Sequence, residues 1–200
     1  IIASLGMQDA KPARTPITCT RQVTDAEFPC SDSEATLYRH CVSVARFLRN
    51  YLPAANFAVK ELSHGLSKPN EEDMKRLRRF GRWLIGVGDL GVWFPSAGDT
   101  RDLFIGTDSD WAGDKVTRRS TSCHMVHCGN CLLSDSSKAQ TVEAQSSGEA
   151  ETYAGAGGTS VGMLFKEVLQ FFEFEAGSPK LRMDSKAAKA IVTRLGVGLV

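Results

Sequence analysis

LFIGTDSDWAGDKVTRRSTSCHMVHCGNCLLS, from Leu103 to Ser134, is where the periodicity of the chain changes. Short β-like runs fall at Leu103 to Asp108, Thr121 to His127 and Cys131 to Ser134, after an earlier one at Gly91 to Phe94. The Gly129-Asn130 pair suits a tight hairpin turn between the last two. Beyond it the spacing becomes helical, from about Gly148 to Phe172, with Ala150, Ala154, Val161, Leu164, Phe165, Val168 and Phe172 expected on one face. A short strand, Lys180 to Asp184, and a helix, Ser185 to Leu195, complete the pattern. Three strands, then helix, strand and helix, predict an α/β unit: a mixed sheet flanked by helices.

Upstream the chain reads differently. Residues 1–33, with KPARTP and EFPCSDS, lack sustained periodicity and read as a connector. From Glu34, the spacing of Leu37, Cys41, Val44, Ala45 and Leu48 predicts a helix ending near Tyr51 and Pro53. A second helix is expected over Ala54 to Leu66. A third opens at Asn70, a good N-cap, with Glu71, Glu72 and Asp73 at the positive end of its dipole. Its inward positions are expected to be Met74, Leu77, Phe80 or Gly81, and Leu84. Its remaining surface carries Lys75, Arg76, Arg78, Arg79 and Arg82.

With 200 residues, 42% of them hydrophobic and 24% charged, the chain can bury a proper core. Net charge is only +1 but unevenly spread: ten Lys/Arg against four Asp/Glu from Thr36 to Gly86, and eleven against twelve from Arg101 to Val200. No apolar run approaches the roughly 20 residues of a membrane span, and the N-terminal residues lack a secretory pattern. The expected setting is intracellular, with no membrane partner. An isoleucine start suggests excision from a longer chain. Six cysteines are too few for a disulfide scaffold of this length and are expected to be reduced.

Three acids stand at element ends: Asp108 closing a strand, Glu151 in the first turns of the long helix, and Asp184 closing the last strand. Carboxylates gathered from such ends repel, and a divalent cation with hard oxygen ligands is the simplest way to hold them. Two such ions about 3.5–4 Å apart suit phosphodiester hydrolysis. An Asp after a strand also caps turns, and a Glu early in a helix also suits the dipole. On spacing alone both readings stand.

The stretch GTDSDWAGDKVTRRSTS (Gly106 to Ser122) resembles the opening of the ribonuclease H domain of Ty1/copia-type retrotransposon polyproteins. The resemblance continues through SSKAQTVEAQSSGEAETYA (Ser136 to Ala154) and MDSKAAKAI (Met183 to Ile191), in the same order. Upstream, LYRHCVSVARFL, ANFAVKELSHGLSKP and MKRLRRFGRWLIG resemble the helical segment joining polymerase to ribonuclease H in those polyproteins. The resemblance implies a linker over 1–33, a helical connection or thumb-like segment over 34–88, and a C-terminally truncated ribonuclease H-like domain over 89–200. No Tyr-x-Asp-Asp motif is present, so polymerase activity is not expected of these residues.

Carried across, the resemblance makes Asp108, Glu151 and Asp184 the catalytic metal ligands, for two Mg²⁺ ions or alternatively Mn²⁺. Asp110, two residues beyond Asp108, is a further candidate ligand. Ser146 and Glu149 fit a capping box that leaves Glu151 free. The implied substrate is an RNA/DNA hybrid whose RNA strand is hydrolysed, the 2′-OH marking RNA. Lys115, Arg118, Arg119, Arg76 and Arg79 are candidate phosphate contacts. The implied partner is the upstream polymerase domain of the same polyprotein, in cytoplasm, virus-like particle or nucleus.

Two departures from the family pattern bear on activity. The family's fourth acidic ligand has no counterpart before RLGVGLV, and Gly155, Gly157, Gly158 and Gly162 weaken the long helix. The alternative reading is therefore a catalytically inactive remnant that binds nucleic acid or packs structurally. A zinc module built on Cys123, His124, His127, Cys128 and Cys131 is a further rival, opposed by strand alternation.

Overall fold

The computed structural model describes residues 1–18, 28–95 and 102–194. The chain divides into two compact units, residues 1–92 with 114–117, and residues 93–113 with 118–200.

The first unit is helical: α1 (Asp32–Leu48), a 3₁₀ turn (Pro53–Ala55), α2 (Asn56–Ser63) and α3 (Glu71–Val87). Ser31 with Glu34, and Asn70 with Asp73, close reciprocal capping boxes at the starts of α1 and α3. Tyr38, Val42, Leu62, Leu77 and Phe80 are the bulk of its core. The buried face of α1 is Ala35, Tyr38, Cys41, Val42 and Ala45, turned slightly from the expected one, and Val44 is exposed. Tyr38 joins the core because its hydroxyl donates to the Leu62 carbonyl (2.6 Å).

Part of the expected connector, 1–33, is built into this unit. Ile1, Leu5, Ala13 and Ile17 pack on the core, Ala13 N donates to the Arg82 carbonyl, and Arg82 Nε donates to the Lys11 carbonyl. Scattered apolar residues that find a preformed helix surface need no periodicity of their own. Residues 19–27 lie outside the described residues.

The second unit is α/β: β1 (Leu103–Asp110), β2 (Thr121–Cys128), β3 (Cys131–Ala139), α4 (Ser147–Phe171), β4 (Lys180–Arg182) and α5 (Lys186–Thr193). The sheet order is β3-β2-β1-β4, with β1/β2 and β2/β3 antiparallel and β1/β4 parallel. The β2–β3 hairpin turns through Gly129-Asn130, with Gly129 at φ 55°, the glycine-first arrangement of a type II′ turn. Gly91 to Phe94, expected to be a strand, has no ladder partner and is irregular. The five described cysteines are free thiols.

Helix α4 crosses between the parallel strands β1 and β4 and covers the face formed by Leu103, Ile105 and Val126. Its buried positions are Ala150, Glu151, Ala154, Gly155, Gly158 and Gly162. The expected apolar face therefore holds only in part: Val161 and Phe165 lean on the core, whereas Leu164, Val168 and Phe172 are exposed. Three of the glycines that weaken the helix in isolation are thus its contact with the sheet. A Cβ on Gly158 would sit 2.4 Å from Thr107 Cγ2 and 3.1 Å from Ile105 Cγ2. Among the described residues no helix is long and apolar enough to cross a membrane.

The glycines are accordingly unequal. Gly158→Ala should destabilise the fold by about 1–3 kcal/mol through overpacking against a β-branched side chain. Gly157→Ala, whose Cβ would meet nothing within 4 Å, should stabilise it by up to about 1 kcal/mol. Urea unfolding of the two variants measures the difference; equal effects would mean that α4 does not approach the sheet this closely.

Candidate metal centre

Each of the three expected acids is delivered by a different element. Asp108 lies near the end of β1, opposite Cys123 of β2. Asp184 follows β4 by two residues: Leu181 packs on the core, Met183 is buried, and Asp184 is exposed. Ser185 then caps α5, its Oγ accepting from Ala188 N (3.1 Å), so the chain is held on both sides of Asp184.

Glu151 is set by the start of α4. Ser146 Oγ accepts from Glu149 N (3.2 Å). The Glu149 carboxylate accepts from Gln145 N (2.8 Å), one residue before the expected capping-box partner, and from the Tyr153 hydroxyl (3.0 Å). Gln140, buried at the end of β3, donates through Nε2 to Ser122 Oγ (2.8 Å) and the Ala150 carbonyl (2.9 Å). Trp111 Nε1 donates to the Ala144 carbonyl (3.0 Å). The first turn of α4 is thereby tied to the sheet just where Glu151 leaves it.

Asp108, Glu151 and Asp184 each present an oxygen within 4.8 Å of the others, and no other such group of three ligands occurs among the described residues. Asp108 and Asp184 are exposed, while Glu151 is 4% exposed. Glu151 Oε1 accepts from Ser109 N (2.9 Å) and Ser109 Oγ (2.8 Å). Glu151 Oε2 is buried with no hydrogen-bond partner. Leaving a buried polar atom unsatisfied costs on the order of 1–3 kcal/mol, and more for a charged one. A hard dication beside Oε2, with Asp108 and Asp184 as further oxygen donors, removes that cost, so the donor set fits Mg²⁺ or Mn²⁺.

Asp108 and Asp184 also line a groove of about 520 Å³, with Gly106, Cys123, Met125 and Arg182. Burial, helped by the charge of Lys138, holds the His124 imidazole on the groove wall below its usual pKa range.

The other expected site residues fall elsewhere. Asp110 is not part of the carboxylate group; its side chain fills the space beside Gly113 that a Cβ would need. Lys115, Arg118 and Arg119 are exposed on the segment after β1. Arg76 is not a surface cation: it is buried, with Nη1 3.3 Å from Asp73 Oδ1, an i,i+3 pair on α3. Arg79 is half-buried and donates to Thr15 Oγ1 (2.8 Å). The cysteine and histidine run forms no three-ligand group either; Cys123 Sγ lies 3.7 Å from Ser137 Oγ and Cys131 Sγ 3.7 Å from the Pro95 carbonyl. Two contributors were missed in the sequence, Ser109 and Gln140. The hydroxyl lodged between the two acids of Asp-Ser-Asp was the available signal for Ser109.

The chain is 34% identical over 151 residues to the retrovirus-related Pol polyprotein from transposon RE1 of Arabidopsis thaliana, and 33% identical over 154 residues to that from transposon RE2. The chain is a relative of the transposon Pol polyproteins. Each match covers 76% of this chain and 10% of the polyprotein. The uncharacterized mitochondrial protein AtMg00810 of the same plant is 29% identical over 153 residues, 76% of this chain and 62% of that protein. No protein-family model and no solved structure matches the chain.

If the three carboxylates hold a cation, Mg²⁺ should raise the thermal midpoint of the chain. A ligand at a hundred times its Kd adds about 2.7 kcal/mol. Glu151→Gln, which keeps the shape and removes the charge, should abolish the Mg²⁺-dependent shift. Differential scanning calorimetry with and without Mg²⁺ reads both, and an undiminished shift in the variant would remove Glu151 from the centre.

Proposed function

We propose that the second unit of this transposon Pol relative is a ribonuclease H-like domain that hydrolyses the RNA strand of RNA/DNA hybrids. The observation that carries the reading is the buried, unpartnered Oε2 of Glu151, a carboxylate grouped with those of Asp108 and Asp184. A structural acid cluster would be expected to satisfy its driest oxygen from the protein itself. The four-stranded mixed sheet with α4 across it is compatible with that fold, and the kinship with Pol polyproteins supplies the setting of reverse transcription.

Two divalent cations bound here would supply a water of lowered pKa and neutralise charge on the attacked phosphodiester. The chain's own groups do the rest. Glu151 is fixed and dry, so its position is set before substrate arrives. Asp108 and Asp184 are open to the groove, where a phosphate can approach. In the reaction one P–O bond of the RNA is exchanged for a P–O bond to water; one proton passes to the departing oxygen and the other to solvent. Arg118 and Arg119 are exposed and suited to phosphate contacts, whereas buried Arg76 is not. The 2′-OH is the feature by which RNA is told from DNA.

Incubating the chain with an RNA/DNA hybrid and Mg²⁺, beside Asp108→Asn, tests the reading. The RNA strand should be cut by the wild type, and the variant should lose at least about a hundredfold in rate, the scale of removing one major transition-state stabiliser. Binding of the hybrid without metal-dependent cleavage would favour an inactive remnant instead.

A further inference from the structure

The ligand assignment leaves open how Glu151 is oriented. A glutamate reaching from a helix has three rotatable bonds, and its two oxygens are chemically alike until something distinguishes them. Here Ser109 does so. Its hydroxyl and its backbone N–H both donate to Oε1, at 2.8 and 2.9 Å, and nothing donates to Oε2. The same N–H also donates to Asp108 Oδ1 (2.9 Å), so one donor is shared by two carboxylates from different elements.

We infer that Ser109 is the positioning residue of this centre: its Oγ–H and N–H pin Glu151 Oε1, so that Oε2 alone is presented to the cation. The inference rests on the proposed metal centre and deepens it. Ser109 touches neither cation nor substrate. It acts through Glu151, holding one rotamer and lowering the repulsion between Glu151 and Asp108 before any metal binds. Hydrogen bonds from groups behind the ligands commonly set metal affinity by 10- to 100-fold, and loss of the hydroxyl would free Glu151 to turn both oxygens outward. The backbone N–H would remain, so the effect is a weakening and not a loss of the site.

The test is direct titration of the 200-residue chain with Mn²⁺ alone, followed by electron paramagnetic resonance of the free ion. Ser109→Ala should weaken Mn²⁺ affinity by roughly 10- to 100-fold. Ser109→Thr keeps the hydroxyl donor and should restore affinity close to wild type, a rescue that a merely space-filling role would not produce. Should Ser109→Ala fail to fold, Ser109→Cys, of similar size and with a weak donor, carries the same expectation. Wild-type affinity in the Ala or Cys variant overturns the role of Ser109 while leaving the centre intact. If the wild type binds Mn²⁺ no better than Asp108→Asn, the metal centre falls and the role of Ser109 with it.

Discussion

Like charges held close together are the constraint around which the second unit is organised. Three carboxylate groups approach within 4.8 Å, from β1, from α4 and from the link between β4 and α5. Such a cluster opposes folding unless the backbone beneath it is rigid enough to hold the groups and something of opposite charge sits among them. The rigid part is visible. β1 and β4 are hydrogen-bonded neighbours, and α4 is capped by Ser146 and laced to the sheet through Gln140. Two of the acids remain in water, where their repulsion is screened, and only Glu151 is dry. The arrangement concentrates the electrostatic demand on one side chain, and that side chain receives two donors from Ser109.

The glycines of α4 belong to the same problem. In an isolated helix each would cost up to about 1 kcal/mol relative to alanine. Against this sheet, Gly155, Gly158 and Gly162 allow the helix to come close enough that Thr107, Ile105 and Met183 touch its backbone. The tertiary term outweighs the local one at these positions, while Gly157, on the open side, has no such return. What reads in sequence as a weakened or degraded helix is, on the buried face, the condition for a short distance between Glu151 and β1.

Much of this was legible in the chain. Alternation located β1 and β2 to within two residues, a Gly-Asn pair marked the hairpin, and caps at Asn70 and Ser146 marked two helix starts. That Asp108, Glu151 and Asp184 meet was implied by the family resemblance; their placement at element ends alone suits a turn cap or a helix dipole equally well. What escaped depends on contacts distant in sequence or on amphipathic residues. Tyr38 lies off the expected apolar face of α1 and is buried where Leu62 offers a carbonyl; Arg76 reads as part of a basic face until Asp73, one helical turn earlier, neutralises it in the core. Residues 1–18 carry no period because they follow the surface of α3 and not one of their own. Asp110 has the right spacing for a ligand, yet its side chain is taken up beside Gly113.

The brevity of β4 has a meaning beyond economy. It pairs with β1 only at Phe104, Ile105 and Gly106, then leaves the sheet. Past that point β1 has an unladdered edge, ordinarily a liability because bare amide groups invite another strand. At Ser109 that bare amide is turned to use as an anion receptor for Asp108 and Glu151. A β4 longer by two or three residues would give a better sheet and a less well held pair of carboxylates, since the ladder would compete for the very N–H that Asp108 and Glu151 share. The gathering of the carboxylates thus draws on a fault in the hydrogen-bond lattice of the sheet.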